Sequence, residues 1–255
     1  MTSRTQTQQP QAQHSSTSTP QKRAVIAGGG SGIGRGCALR LAADGYKTII
    51  LGRTAAKVEA VVAEIRAAGG EADAFVADVR DWDRLKTLGE TLAPEGIDLL
   101  VNSAGGQSAA PSANMDKEDW DRVVGINLHG SFYLCRHLHS ALKKRRGAVV
   151  TVVANMWQKP APALAHSAAA RAGVVNLTRT LALEWAADGI RLNAVAPGLT
   201  DSGALLPQYK AMVDKVPLGR IGEVDDVIDS VLYLAKASYV TGEVIAVDGG
   251  IRFNS

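Results

Sequence analysis

The sequence has few cysteines and few aromatic residues, and it lacks both a long apolar run and a strong excess of charge of one sign. Only two cysteines occur in 255 residues, Cys37 and Cys135. This number excludes a disulfide framework and a cysteine-rich metal site, and it favours a reducing compartment. No apolar run approaches the roughly 18 residues of a membrane-spanning helix. The formal net charge of +3 is too small and too dispersed to indicate a nucleic-acid partner.

The first 21 residues also lack an apolar segment, and they are rich in Gln, Ser and Thr. Such a composition cannot bury enough surface to offset the entropy lost on ordering, and it has no signal-peptide core. We therefore predict a disordered tail over 1–21. Because no break in composition divides the remainder, we predict one domain over 22–255, in a cytoplasmic protein with no membrane partner.

Beyond the tail, short aliphatic runs alternate with longer amphipathic segments. The predicted strands are Ala24–Ala27, Thr48–Leu51, Ala74–Ala77, Asp98–Val101, Val149–Val153, Leu192–Ala196 and Val244–Val247. The predicted helices are Ile33–Asp44, Ala55–Ala68, Trp82–Leu92, Trp120–Leu142, Ala168–Ala187 and Val224–Leu234. Unbroken apolar strands are typical of a parallel sheet covered on both faces. The pattern predicts an α/β fold with one doubly wound parallel sheet flanked by helices.

A glycine-rich turn joins the first predicted strand to the first predicted helix, with the sequence Gly28-Gly29-Gly30-Ser31-Gly32-Ile33-Gly34. Glycines in this place permit a tight turn and bring a pyrophosphate close to backbone N–H groups at a helix N-terminus. The spacing differs from G-x-G-x-x-G, and a simple turn is the alternative. We predict that the nucleotide is bound by Gly28, Ser31, Gly32, Ile33 and Gly34.

The end of the second predicted strand lacks the acidic residue that holds a ribose 2′-hydroxyl in NAD enzymes. Arg53 stands there instead, with Lys57 one turn into the next helix, and both offer positive charge to a 2′-phosphate. We therefore predict NADP(H) rather than NAD(H), the alternative being a solvated arginine. Asp78 and Val79 follow the third strand and are assigned to the cofactor site, where Asp78 either accepts from an adenine amino group or caps a helix.

Five motifs in order resemble the short-chain dehydrogenase/reductase family, over Arg23 to Gly250. They are Ala27-Gly28 through Gly34, Asn102-Ser103-Ala104-Gly105, Asn127-Leu128-His129-Gly130, Arg191 through Gly198, and Val247-Asp248-Gly249-Gly250. The resemblance implies a Rossmann-type fold, a nicotinamide cofactor, and a homotetramer or homodimer. It further implies that the cofactor is lined by Asn102, Ala104 and Gly105, that the active site is supported by Asn127, and that the nicotinamide end is met by Pro197, Gly198 and Thr200 or Ser202.

The usual chemistry of this family needs a serine after the fifth strand, then a tyrosine and a lysine four residues apart on the next helix. The tyrosine passes the proton, and the lysine lowers its pKa while holding the nicotinamide ribose. Here these positions carry Ala154, Ser167 and Arg171, and no tyrosine occurs between Tyr133 and Tyr209. Arg171 can still donate to the ribose hydroxyls, but it cannot relay protons. An alignment shifted by one residue would place His166 and Ala170 there instead.

The segment from His166 to Val174, continuing through Leu183-Glu184-Trp185-Ala186, resembles the peroxisomal trans-2-enoyl-CoA reductases and, less closely, the 2,4-dienoyl-CoA reductases. This resemblance implies NADPH-dependent reduction of a C=C bond conjugated to a thioester carbonyl, as in fatty acid metabolism. Conjugate hydride addition creates an enolate, which hydrogen bonds stabilise and water can protonate later. A tyrosine is then dispensable.

We therefore predict an NADPH-dependent oxidoreductase that reduces the C=C bond of a 2-enoyl thioester. The predicted catalytic residues are Asn127, Ser167 and Arg171. Substrate contacts are predicted for Gln107, Asn155, Trp157 and His166, and no metal is expected. Two alternatives stay open: a reductase of a ketone, imine or specialised metabolite, and a nucleotide-binding scaffold without catalysis.

Overall fold

The computed structural model describes residues 20–203, 205 and 211–254. Most of the segment predicted as a tail, residues 1–19, lies outside these ranges, so its disorder stays a prediction. Among the described residues, no helix combines the length and the apolar character needed to cross a membrane.

Nine strands occur in the described ranges: β1 Arg23–Ala27, β2 Lys47–Gly52, β3 Ala72–Val76, β4 Leu99–Asn102, β5 Ala148–Val152, β6 Arg191–Pro197, β7 Thr200–Asp201, β8 Gly222–Glu223 and β9 Val244–Val247. Seven of them form one sheet in the order β3-β2-β1-β4-β5-β6-β9, and every neighbouring pair is parallel. The predicted doubly wound parallel sheet is confirmed. The separate pair β7-β8 was not predicted, because strands of two residues show no periodicity.

The helices are α1 Gly32–Ala43, α2 Ala55–Ala67, α3 Trp82–Leu92, α4 Lys117–Val124, α5 Gly130–Arg145, α6 Ala165–Glu184 and α7 Val224–Lys236. The single helix predicted over Trp120–Leu142 is therefore α4 and α5, joined by one wide π-helical turn at Gly125–His129. The Asp116 carboxylate caps α4 by accepting a hydrogen bond from the Asp119 N–H at 2.7 Å. The start of α4 at Lys117 was not predicted, because the first turn of this helix is charged and shows no apolar periodicity.

Helices cover both faces of the sheet, and alternate residues of each strand belong to different cores. In β1, Ile26 packs in the core under α1, α2 and α7, whereas Val25 packs in the core under α3 and α5. Full burial of one such aliphatic side chain stabilises the fold by about 1.5–3 kcal/mol. One free cysteine lies in each core, and burial raises the pKa of both thiols to about 12, so both stay protonated.

Candidate active site

A cleft of about 480 Å³ lies at the carboxyl ends of the strands, beside the point between β1 and β4 where the strand order reverses. Ligands of open α/β sheets bind at this position. Most of the predicted site residues line the cleft: Gly28, Ser31, Gly32, Ile33, Arg53, Val79, Ala104, Gly105, Gln107, Arg171, Pro197, Gly198 and Thr200. The others lie outside its lining: Gly34, Asp78, Asn102, Asn127, Asn155, Trp157, His166 and Ser167.

The glycine-rich turn after β1 leaves no room for side chains. Gly28 has a φ of +76°, and a Cβ on it would lie 2.8 Å from the Ala104 nitrogen. A Cβ on Gly34 would lie 2.2 Å from the Gly28 carbonyl oxygen, which explains why Gly34 is required although it does not line the cleft. The backbone therefore reaches the cleft unobstructed at the N-terminus of α1, whose first N–H groups have no partner within the helix. This cradle suits a pyrophosphate.

Positive charge gathers at the end of the cleft beside β2 and α2. Arg53 and Lys57 both line it. The Arg53 side chain is 58% exposed, and its Nη1 lies 3.6 Å from Asp78 Oδ2, a contact longer than a hydrogen bond. Two cations on one wall suit the 2′-phosphate predicted from Arg53.

Asp78 is bound by its neighbour Arg80. The Arg80 backbone N–H and Nε donate to Asp78 Oδ1 at 2.9 and 3.0 Å, and Arg80 Nη2 donates to Oδ2 at 2.8 Å. These hydrogen bonds hold the pKa of Asp78 below its usual range, so the carboxylate is ionised. The alternative that Asp78 caps a helix is wrong, because Asp81 caps α3 by accepting from the Arg84 N–H at 3.0 Å.

The turn after β4 is shaped by Asn102, which is 2% exposed. Its Nδ2 donates to Ser131 Oγ at 2.8 Å, and its Oδ1 accepts from the Ala104 N–H at 3.2 Å. Asn102 thus fixes the backbone that forms one wall of the cleft without facing the cleft itself.

Asn127 sits in the wide turn between α4 and α5 and supports the same wall from behind. Its Nδ2 donates to the carbonyls of Gly106 and Val123, both at 2.8 Å. A Cβ on Gly105 would lie 2.8 Å from Asn127 Oδ1, so the loop passes directly over this side chain. The contacts fit the supporting role implied by the family resemblance, while a direct part for Asn127 in catalysis stays a prediction.

Arg171 lines the cleft from α6, and Ala154, two residues beyond the end of β5, lines the same cleft. Its Nη2 lies 3.7 Å from the place a Cβ would occupy on Gly105, and its Nε donates to Ser167 Oγ at 3.3 Å. Burial lowers the pKa of Arg171 to about 10, which still leaves the guanidinium charged at neutral pH. Arg171 therefore places a fixed positive charge in the cleft.

Ser167 and His166 are each 0% exposed and lie outside the cleft lining, so in this conformation neither can touch a substrate. Ser167 is a predicted catalytic residue, but the contact that its hydroxyl makes is to accept a hydrogen bond from Arg171 Nε. The structure therefore places Ser167 next to Arg171 and outside the cleft lining.

His166 belongs to a polar cluster that joins the loop after β4 to α4 and α6. Its Nε2 lies 3.1 Å from Ser108 Oγ and 3.3 Å from Asp119 Oδ2, and Ser108 Oγ donates to both Asp119 oxygens at 2.7 and 2.8 Å. Hydrogen bonds from Ser108, Arg122 and His166 lower the pKa of Asp119, and the bond from Ser108 has the largest effect. The cluster fixes the loop that carries Gln107.

Serine, histidine and aspartate also form the catalytic triads of hydrolases, but the geometry of this cluster does not support hydrolysis. In such a triad the carboxylate binds one ring nitrogen while the serine uses the other. Here Asp119 and Ser108 share Nε2 of His166, and Nδ1 accepts from the Ser167 N–H at 2.8 Å. No sequence motif indicates this cluster, because Ser108 and Asp119 are far from His166 along the chain.

Asn155 and Trp157 lie in a short helical turn after β5. Trp157 packs against the small core cluster that includes Val153 and Val174, and the Arg179 guanidinium lies 5.7 Å from the centroid of its ring. Both residues stand outside the cleft lining, so their contacts with substrate stay predictions. Within the described ranges, no group of three or more His, Cys, Asp or Glu side chains could hold a metal ion.

Comparison with known proteins gives consistent matches over nearly the whole chain. A family model described as enoyl-(acyl carrier protein) reductase matches residues 27–252. The 3-oxoacyl-[acyl-carrier-protein] reductase FabG of Staphylococcus epidermidis is 37% identical over 240 residues, which cover 90% of this chain and 98% of that protein.

Solved structures share the fold closely. A 3-oxoacyl-[acyl-carrier protein] reductase of Brucella melitensis with bound NAD has a TM-score of 0.83 and 30% identity, and the match covers 90% of each chain. A Beutenbergia cavernae protein described as an NAD(P)-dependent gluconate 5-dehydrogenase, with NADP bound at low occupancy, has a TM-score of 0.84 and 36% identity, covering 90% of this chain and 96% of that one. The substrates named for these proteins differ from one another.

Proposed function

The chain belongs to the short-chain dehydrogenase/reductase family and is an NAD(P)-dependent oxidoreductase, and we propose that it uses NADPH to reduce the C=C bond of a 2-enoyl thioester. A homotetramer or homodimer, as the family resemblance implies, stays a prediction.

The cleft offers a suitable group for each part of the cofactor. Its pyrophosphate would lie on the backbone of Ser31 and Gly32, where the turn after β1 has no side chain in the way. Arg53 and Lys57 would hold the 2′-phosphate, and Arg171 would donate to the hydroxyls of the nicotinamide ribose. When bound, the cofactor supplies a hydride.

The motif alignment assigns Ala154, Ser167 and Arg171 to the positions where carbonyl reduction in this family uses a serine, a tyrosine and a lysine, and this assignment favours C=C reduction. Among the described residues that line the cleft, the ionisable side chains are Arg53, Lys57 and Arg171. None of them is a tyrosine, a histidine or a carboxylic acid that could donate this proton. A ketone that accepts a hydride becomes an alkoxide, which needs such an acid at once.

Reduction of a conjugated C=C bond makes a smaller demand on the protein. As the hydride adds to C3, an electron pair moves onto the thioester oxygen and gives an enolate, and a proton from water then adds to C2. The protein needs to polarise the carbonyl and stabilise the negative oxygen. Gln107 lines the cleft and has a neutral amide donor for that oxygen, while the charge of Arg171 favours the enolate.

A second candidate reaction is reduction of a 3-oxoacyl thioester to a 3-hydroxyacyl thioester. It is favoured by the 37% identity to a 3-oxoacyl-[acyl-carrier-protein] reductase. Both candidates share the cofactor and an acyl thioester, and they differ in the bond that is reduced.

NADPH consumption should be measured with crotonyl-CoA, a longer 2-enoyl-CoA and a 3-oxoacyl-CoA, and simple alcohols should be tested with NADP. We expect turnover of the enoyl thioesters and negligible alcohol oxidation. Tyr209 lies outside the described residues, so Tyr209→Phe belongs in the same series and should keep the enoyl activity. Alcohol oxidation without enoyl reduction would overturn the proposal, and cofactor binding without any turnover would favour a scaffold.

A further inference from the structure

Arg80 is not part of the cleft lining, yet it controls the charge next to Arg53. Its three hydrogen bonds to Asp78 are 2.8–3.0 Å long, whereas Arg53 approaches the same carboxylate only to 3.6 Å. Asp78 is thus neutralised by Arg80, a residue that does not line the cleft. Arg53 does line the cleft, and its guanidinium makes no hydrogen bond to this carboxylate.

The aliphatic part of the Arg80 side chain is also packed against the turn between α4 and α5. A Cβ on Gly125, in the wide turn between α4 and α5, would lie only 3.3 Å from Arg80 Cδ. The arginine stem therefore packs directly on this glycine, while its guanidinium is turned towards Asp78. Because the aliphatic part of Arg80 is packed and its guanidinium contact is bidentate, the Arg80–Asp78 ion pair is more stable than an ordinary exposed ion pair.

The consequence for a 2′-phosphate is electrostatic. Without Arg80, Asp78 would be free to pair closely with Arg53, and its charge would repel a phosphate bound there. With Arg80 present, Arg53, Lys57 and Arg80 together outnumber Asp78 by two positive charges, which matches the charge of a phosphate monoester near neutral pH. NADH carries no such phosphate, so its binding depends little on this balance.

We propose that Arg80 is a specificity-determining residue: by occupying Asp78 it keeps Arg53 available, and so sets the preference for NADPH over NADH. This inference rests on the proposed use of NADPH. Arg80 acts through Asp78 and Arg53, and it is a positioning residue that does not touch the cofactor.

The test is a binding cycle on the full chain, with dissociation constants for NADPH and NADH measured by fluorescence titration. Arg80→Gln should weaken NADPH about 10-fold and leave NADH within about twofold, since one charge beside the phosphate is lost. Asp78→Asn in the same chain should restore NADPH binding, because no carboxylate remains to compete for Arg53. The Arg80→Gln effect should shrink at high salt, since the side chains of Arg53, Asp78 and Arg80 are all partly exposed to solvent.

Arg66→Gln is the matched control. Arg66 lies in the last turn of α2 and pairs with Asp73, near the amino end of β3, at 3.2 Å; it is exposed and lies outside the cleft lining. The Arg66→Gln substitution removes the same charge as Arg80→Gln and should change neither the NADPH nor the NADH dissociation constant. Equal weakening of NADPH and NADH by Arg80→Gln, or no rescue by Asp78→Asn, would overturn the inference. If the unmodified protein binds NADPH no better than NADH, the proposed cofactor preference itself fails, which is a separate result.

Discussion

Replacing Arg171 by glutamine removes the positive charge that this residue places in the cleft and leaves a shorter, neutral amide donor. A hydrogen bond from a charged donor contributes about 1.5–3 kcal/mol, and each 1.4 kcal/mol is about tenfold in an equilibrium or rate. In the proposed function, Arg171 donates to the nicotinamide ribose and its charge favours the enolate. We therefore expect Arg171→Gln to lower kcat/KM for crotonyl-CoA by about 100-fold.

The same substitution should not destabilise the fold, and this separates its effect from unfolding. Burial lowers the pKa of Arg171 to about 10, so the folded protein disfavours the charged form. At neutral pH the guanidinium is charged in both the folded and the unfolded states, and its burial reduces the free energy of unfolding. That penalty declines as the pH rises through about 10, and glutamine removes it at every pH. The melting temperature of Arg171→Gln should equal or exceed that of the unmodified protein.

Steady-state NADPH oxidation and thermal unfolding, measured on the same samples, test this prediction. Arg179→Gln is the matched control, since Arg179 lies on the same helix but stacks on Trp157 outside the cleft lining. The activity of the unmodified enzyme should decline as the pH rises through about 10, where Arg171 loses its proton. Turnover of Arg171→Gln within about twofold of normal would refute the role of the charge, and so would a loss of activity that parallels a lower melting temperature.

Three further substitutions probe other parts of the site. Ser167→Ala removes only the acceptor for Arg171 Nε, so kcat/KM should fall about 2- to 10-fold in steady-state kinetics. A loss of about 1000-fold would instead indicate that Ser167 contacts the substrate directly. Ser108→Ala should loosen the loop that carries Gln107 and raise KM for the enoyl thioester about 10-fold, without changing the NADPH dissociation constant. An equal rise in KM and in the NADPH dissociation constant would contradict a role for Ser108 in substrate placement. Gly34→Ala puts a Cβ 2.2 Å from the Gly28 carbonyl oxygen, so a thermal melt should show a lower melting temperature and a titration should show no NADPH binding; normal binding would refute the packing constraint.

The sheet could be predicted from sequence because its strands are buried on both faces and appear as continuous aliphatic runs. The predicted bounds Val244–Val247 and Trp82–Leu92 agree with β9 and α3. The start of α4 was missed since its first turn is charged, and the wide turn at Gly125–His129 was missed because a π-helical turn barely disturbs the apolar period.

For the site, local motifs predicted the backbone of the cleft better than its side chains. The glycine turn and Arg53 line the cleft as expected, because each is positioned by the end of its own strand. The burial of His166 and Ser167 depends on packing of α6 against α4, and no local pattern reports such a contact. The pairing of Asp78 with Arg80 spans only two residues, so an Asp followed two positions later by Arg was a signal that could have been used.

The most direct test of C=C reduction is a competition in which the protein, NADPH and equal amounts of crotonyl-CoA and acetoacetyl-CoA are mixed, and the thioester products are identified by mass spectrometry. NADPH deuterated at the transferred position marks the carbon that receives the hydride. We predict butyryl-CoA as the main product, with deuterium at C3 and a solvent proton at C2. Deuterated 3-hydroxybutyryl-CoA as the main product would contradict C=C reduction and would assign carbonyl reduction to this site despite its missing tyrosine.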